Sequence, residues 1–175
     1  MQETTRLRLF ARTGRTGSRL RGKRMSLPHG SSARDIENLI VRYSHLVDDA
    51  KFGEFGALFD DGDFVFGDVT LRGSTQIEDL IRSTLVVHED GTLRTRHVTT
   101  NILIDVDEEN DSAEARSYYT VFQSVPGLLP LQPVGSGRYR DRFARRDGTW
   151  CFARREVTID FTGDTRYHLK PPPVS

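Results

Sequence analysis

The apolar residues of this chain change period once, at Asp90-Gly91, and that change restricts the fold more than any other feature of the sequence. Before it, Ile36, Leu39, Ile40, Tyr43, Leu46, Val47 and Ala50 recur at helical spacing, and Ile77, Leu80, Ile81 and Leu85 form a second helical stripe. Ser32-x-x-Asp35 predicts the cap of the first helix and Thr75-x-x-Glu78 that of the later one. Gly53 is read as the end of the first helix. Phe55, Leu58 and Phe59 predict a short second helix before the Asp60-Asp61-Gly62 turn, and Phe64 to Phe66 a short strand. After the change, residues 93–106, 113–123, 137–145 and 150–161 read as strands, reversed at the acidic run 107–111 and at Asp147-Gly148. Helices first and a long antiparallel meander afterwards predict an α+β fold.

A chain of 175 residues suits one such domain. The leader, residues 1–32, is rich in Arg, Gly, Ser and Thr, with too little apolar surface to offset the entropy of ordering. The domain is placed at 33–168, and a tail at 169–175 whose Pro171-Pro172-Pro173 reads as extended chain. Residues 124–136 set Leu128, Leu129, Leu131 and Val134 among three prolines and two glycines, and are read as a lid, an interface loop or a loop folded on its own domain.

Charge is uneven. Residues 1–25 hold eight basic side chains and one acid, which leaves 17 basic and 24 acidic groups, a net of −7, on the other 150. An acidic body gives no electrostatic reason for nucleic acid to bind the folded domain. For the leader a transit peptide, a nucleic-acid arm and an upstream start ahead of Met25 stay open. Cys151 is the single cysteine, so no internal disulfide and no zinc spacing arise, and no run reaches the length of a membrane span. A cytoplasmic protein is expected.

The sequence holds no glycine-rich phosphate loop, no Gly-x-Ser-x-Gly elbow and no His-Glu-x-x-His pair. Polar side chains on core elements remain: Tyr43, Asp48 and Asp49 on the first helix, His97 and Asn101 on a strand, Arg154 and Arg155 on the last strand. On a helical wheel Tyr43 lies in the apolar stripe, whereas Asp48 falls roughly 140° from its centre and reads as solvent-facing. Strand parity sets His97, Thr99 and Asn101 opposite Val98, Ile102 and Ile104, which exposes the histidine.

The run from Ile40 through Tyr43 and Asp48 to Phe59 resembles the opening helices of SnoaL-like proteins in the nuclear transport factor 2-like superfamily. Arg96-His97-Val-Thr-Thr-Asn101 is similar to the strand that supplies their pocket histidine, and Gly137 to Phe143 with Arg146 to Arg155 resembles their closing hairpin. The resemblance implies a cone-shaped fold, helices packed on a curved, mainly antiparallel sheet, and an apolar pocket. Scytalone and bile acid 7α-dehydratases of this superfamily use a Tyr, Asp and His set, which implies Tyr43, Asp48 and His97 as catalytic residues, with Arg155 and Asn101 binding substrate. Their further polar residue on the next long strand has no counterpart among Tyr119, Thr120, Val121 and Phe122.

The expected activity is that of a lyase (dehydratase) or isomerase acting on a small apolar cyclic molecule by Asp/His acid-base chemistry, without cofactor or metal. The alternatives are a noncatalytic ligand-binding or assembly module and an oxygenase accessory β-type subunit. Relatives assemble in pairs, so a homodimer through one sheet face is expected, with Tyr118, Phe122, Tyr139 and Phe143 as candidate contacts.

Overall fold

The computed structural model describes residues 31–171, so the expectations for the basic leader up to residue 30, Met25 included, and for Pro172 and Pro173 lie outside the described residues. Helix α1 (Ser32–Asp48) follows the predicted stripe. Its cap is Ser31 rather than Ser32, because the Ser31 hydroxyl accepts the Arg34 N–H at 3.3 Å. The helix stops at Asp48, and Ala50, at φ 53°, carries the chain out in a left-handed turn. Gly53 therefore lies inside α2 (Phe52–Ala57) instead of ending α1.

Strands β1 (Asp63–Phe66) and β2 (Val69–Arg72) form a tight hairpin, of which only the first was expected. Helix α3 (Gly73–Thr84) starts two residues before the predicted cap, and the Gln76 side chain accepts the Arg72 N–H at 3.1 Å there. Four long strands follow: β3 (Thr95–Asp107), β4 (Ser112–Val125), β5 (Leu129–Arg146) and β6 (Thr149–Thr162).

The six strands form one sheet in the order β2-β1-β6-β5-β4-β3, antiparallel except where β1 runs parallel to β6. Helix α1 touches both β3 and β6, which β4 and β5 separate, so the sheet curves around the helix. Ile36, Ile40, Tyr43 and Val47 of α1 meet the core there, with Phe55, Phe59, Phe64, Phe143 and Phe152. The α+β reading and the curved, mainly antiparallel sheet hold.

Two expectations change. The segment 124–136 is not a lid: β4 runs to Val125 and β5 resumes at Leu129, leaving only 126–128 as a turn. Its prolines are tolerated because β6 pairs with β5 only as far as Gly135. Pro130 and Pro133 therefore lie where the strand has one neighbour and needs fewer N–H donors. Tyr139 and Phe143, named as dimer contacts, are each 2% exposed and belong to the core, whereas Tyr118 is exposed. Among the described residues no helix is long and apolar enough to cross a membrane.

Candidate active site

Two short polar rows face each other where α1 crosses β3. Positions 44 and 48 are one helical turn apart, about 6 Å, and positions 95, 97 and 99 lie at two-residue steps of about 6.6 Å along a strand, so the spacings match. The hydroxyls of Ser44 and Thr99 lie 3.3 Å apart. One turn on, the Asp48 carboxylate accepts the Thr95 hydroxyl at 2.6 Å, the His97 backbone N–H at 2.8 Å and His97 Nδ1–H at 2.7 Å.

Asp48 is 6% exposed, so the wheel's solvent-facing reading fails. Burial pushes its carboxyl pKa up, but the bonds from His97 and Thr95 outweigh this and hold it below its ordinary value. An ionised Asp48 fixes the Nδ1–H tautomer of His97 and leaves the Nε2 lone pair free, since Nε2 bonds to no described residue.

Strand parity fails at His97 because β3 is bulged. Thr100 pairs with Tyr118 and Leu103 with Arg116, so three steps on β3 oppose two on β4. Asn101 absorbs the extra residue at φ 54°, a conformation asparagine tolerates better than most residues. Before the bulge Thr95, His97 and Thr99 point inward; after it Ile102, Ile104 and Val106 do. An unbroken alternation cannot bury both sets. Asn101 itself is exposed on the bulge and does not join His97.

His97 belongs to the wall of a cavity of about 240 Å³. Tyr43, Tyr119 and Tyr139 line it from α1, β4 and β5, Leu80, Ile81 and Leu85 from the region of α3, and His168 from beyond β6. Most of the wall is apolar. Burial raises the Tyr43 pKa, opposed by the nearby Arg155 charge, so the phenol stays protonated and able to donate. Tyr119 donates to the Thr158 carbonyl at 3.3 Å, passing beside Gly137, where a Cβ would lie 2.9 Å from the phenol oxygen. A wider hollow of about 670 Å³ elsewhere is lined by Asp105, Glu114, Arg142 and Arg154 and holds neither Tyr43 nor His97.

Arg155, expected to bind substrate, does not line the cavity. It is fully buried, bonded through two nitrogens to Asp141 at 2.8 and 2.7 Å, and its guanidinium lies 4.1 Å from the Tyr43 ring centre and 4.2 Å from that of Tyr139. Arg154 instead pairs with Asp63 and Glu156 at the surface. Sequence reasoning missed Ser44, Thr95, Tyr119 and His168. The first two were legible as polar positions at i, i+4 and i, i+2 steps from Asp48 and His97; the last two carry no local signal.

The profile of the SnoaL-like domain family matches residues 30–156. The chain belongs to this family. Solved structures agree in fold. A Mycobacterium tuberculosis protein of unknown function is 28% identical, with 72% of this chain and 70% of that one covered at a TM-score of 0.60. A provisionally assigned scytalone dehydratase from Novosphingobium aromaticivorans is 25% identical, with 82% and 94% covered at a TM-score of 0.60. An NTF2-like protein with a cystatin-like fold, also from Novosphingobium aromaticivorans, is 25% identical, with 73% and 81% covered at a TM-score of 0.60. No curated protein matches the chain.

His168 makes this SnoaL-like domain sensitive to acid. Burial, with the His97 and His88 charges, lowers its pKa from 6.5 to about 4, against the opposing pull of Asp48. The unfolded chain therefore binds a proton that the folded chain refuses. No protonation penalty arises above about pH 6.5, and stability falls as the pH drops from there to about 4, by at most about 3 kcal/mol. Thermal midpoints recorded from pH 7 to pH 4 should fall less for His168→Phe than for the unmutated chain. Equal slopes would mean that His168 protonates as freely folded as unfolded.

Proposed function

We propose that this chain is a lyase or isomerase that moves a proton on a small cyclic ketone without a cofactor. One observation carries the reading: an ionised, buried carboxylate holds Nδ1 of a histidine that lines an apolar cavity. His97 Nε2 takes the acidic proton beside the substrate carbonyl, and Asp48 stabilises the resulting imidazolium. Tyr43 donates to the enolate oxygen as its charge develops. For a β-hydroxyketone, the enolate electrons then form the C=C bond, the C–O bond breaks, and His97 returns its proton to the departing hydroxide as water. For an isomerisation, His97 delivers the proton to another carbon.

The cavity is smaller than the roughly 300 to 1,000 Å³ of ordinary ligand pockets, which favours molecules of one or two rings over a steroid. The likeness to the provisionally assigned scytalone dehydratase supports the same class of chemistry. The test uses 1-tetralone in D₂O, whose C2 protons exchange only if a base removes them, and 3-hydroxy-1-tetralone, which loses water to give 1-naphthol. Both reactions should run above background with the unmutated chain and fall to background in His97→Ala, with the circular dichroism spectrum unchanged. Saturable binding of 1-tetralone without exchange at any pH would remove the enzyme reading and leave a ligand-binding module.

A further inference from the structure

The segment after β6 is strapped across the cavity by bonds to other parts of the fold. The Val86 N–H donates to the His168 carbonyl at 2.9 Å, the Lys170 N–H to the Thr84 carbonyl at 2.8 Å, and Gln123 Nε2 to the Tyr167 carbonyl at 2.9 Å. Leu85 and Leu169 form an isolated β-bridge beside them. The backbone at His168 is thereby fixed from both sides, and its side chain lines the cavity that also contains His97.

The His168 ring makes no hydrogen bond to a described residue. Nδ1 is fully buried without a partner, whereas Nε2 is not among the fully buried atoms. Its two neighbours differ: His97 is held by Asp48, and His88 Nε2 lies 3.2 Å from the Tyr167 carbonyl. Nε2 is therefore the nitrogen that can meet a molecule in the cavity, and no described protein group competes for it. Burial keeps the ring uncharged near neutral pH, where Nε2 carries an N–H or a lone pair according to the tautomer. That pattern complements a hydroxyl or a carbonyl and gives no charge to attract a carboxylate.

We propose that His168 is a ligand-binding residue that hydrogen-bonds a hydroxyl or carbonyl oxygen of an uncharged one- or two-ring molecule lying against His97. The SnoaL-like match ends at residue 156, so this contact comes from the strap beyond it. The inference rests on reading the cavity as a ligand site, and not on proton transfer by the Asp48/His97 pair.

Naphthalene and 1-naphthol differ by one hydroxyl and suit the test. With histidine labelled by ¹⁵N in the full chain, 1-naphthol is expected to shift the His168 ring resonances and naphthalene to leave them in place. The unmutated chain should bind 1-naphthol roughly 10-fold or more tightly than naphthalene, the worth of one hydrogen bond in an apolar site. In His168→Phe the ratio should fall to about 1, and His168→Gln, which keeps an N–H, should retain part of it. A ratio unchanged in His168→Phe, or His168 resonances that respond alike to both molecules, overturns the assignment. Absence of binding by either molecule overturns it together with the reading of the cavity as a ligand site. The proton-transfer reading fails separately: a preference that depends on His168 without any exchange of 1-tetralone removes the enzyme and keeps this contact, and the reverse pattern removes this contact alone.

Discussion

Asp141→Ala is expected to destabilise the fold by about 3–5 kcal/mol, the usual cost of leaving one member of a buried ion pair without its partner. Asp141 and Arg155 sit directly opposite each other on β5 and β6, and neither side chain is exposed at all. Burial opposes the Arg155 charge, but the Asp141 carboxylate outweighs it and raises the guanidinium pKa. Arg155 Nη1 has no hydrogen-bond partner, and the faces of Tyr43, Tyr139 and Phe152, with centres 4.1 to 4.7 Å away, stand in for one. Alanine removes both carboxylate bonds and strands the cation beneath the cavity floor. Urea unfolding followed by Trp150 fluorescence gives the loss. Combining Asp141→Leu with Arg155→Met should recover most of it, because apolar residues of similar volume replace such pairs at little cost. A loss below about 1 kcal/mol in Asp141→Ala would show that water reaches the guanidinium and that the pair is not buried in solution.

Asp48→Asn is expected to slow the exchange of 1-tetralone by about 10² to 10⁴ while leaving the fold in place. The amide keeps an oxygen to accept from Thr95 or from the His97 N–H, so the helix-strand crossing retains part of its bonding. What changes is the tautomer. An amide N–H facing Nδ1 favours a lone pair there and places the proton on Nε2, where the base is needed, and the stabilising charge is lost as well. Nitrogen chemical shifts of the His97 ring report the tautomer directly. Undiminished exchange in Asp48→Asn, with Nε2 protonated, would eliminate His97 as the base.

How much of this was readable in advance depends on the range of the interaction involved. Periodicity is local, and it located α1, the later helix and the four long strands within a few residues, except that β5 starts at Leu129 and not at residue 137. The hairpin partner β2 escaped because Val69–Arg72 is four residues long, with no buried position to create a pattern. The stretch 124–136 misled because prolines usually break strands, and only the end of β6 pairing at Gly135 explains why they do not break β5. For the site, the resemblance to SnoaL-like proteins implied Tyr43, Asp48 and His97, the last two against the residue patterns. Tyr43 and His97 line one cavity, Asp48 bonds to His97, and Asn101 and Arg155 line no part of it.

Spacing along the chain suffices for the α+β class and for the apolar stripe that α1 buries, and it orders every element except β2. Which way His97 faces is not set locally, because a single extra residue at Asn101 inverts the parity of β3, and a bulge is fixed by pairing with another strand rather than by its own residues. Only the tertiary structure made Arg155 a core cation, since its partner Asp141 is brought opposite by the β5–β6 register. His168 entered the cavity in the same way: its position depends on bonds to residues 84, 86 and 123, and a contact across that many residues leaves no trace in local sequence.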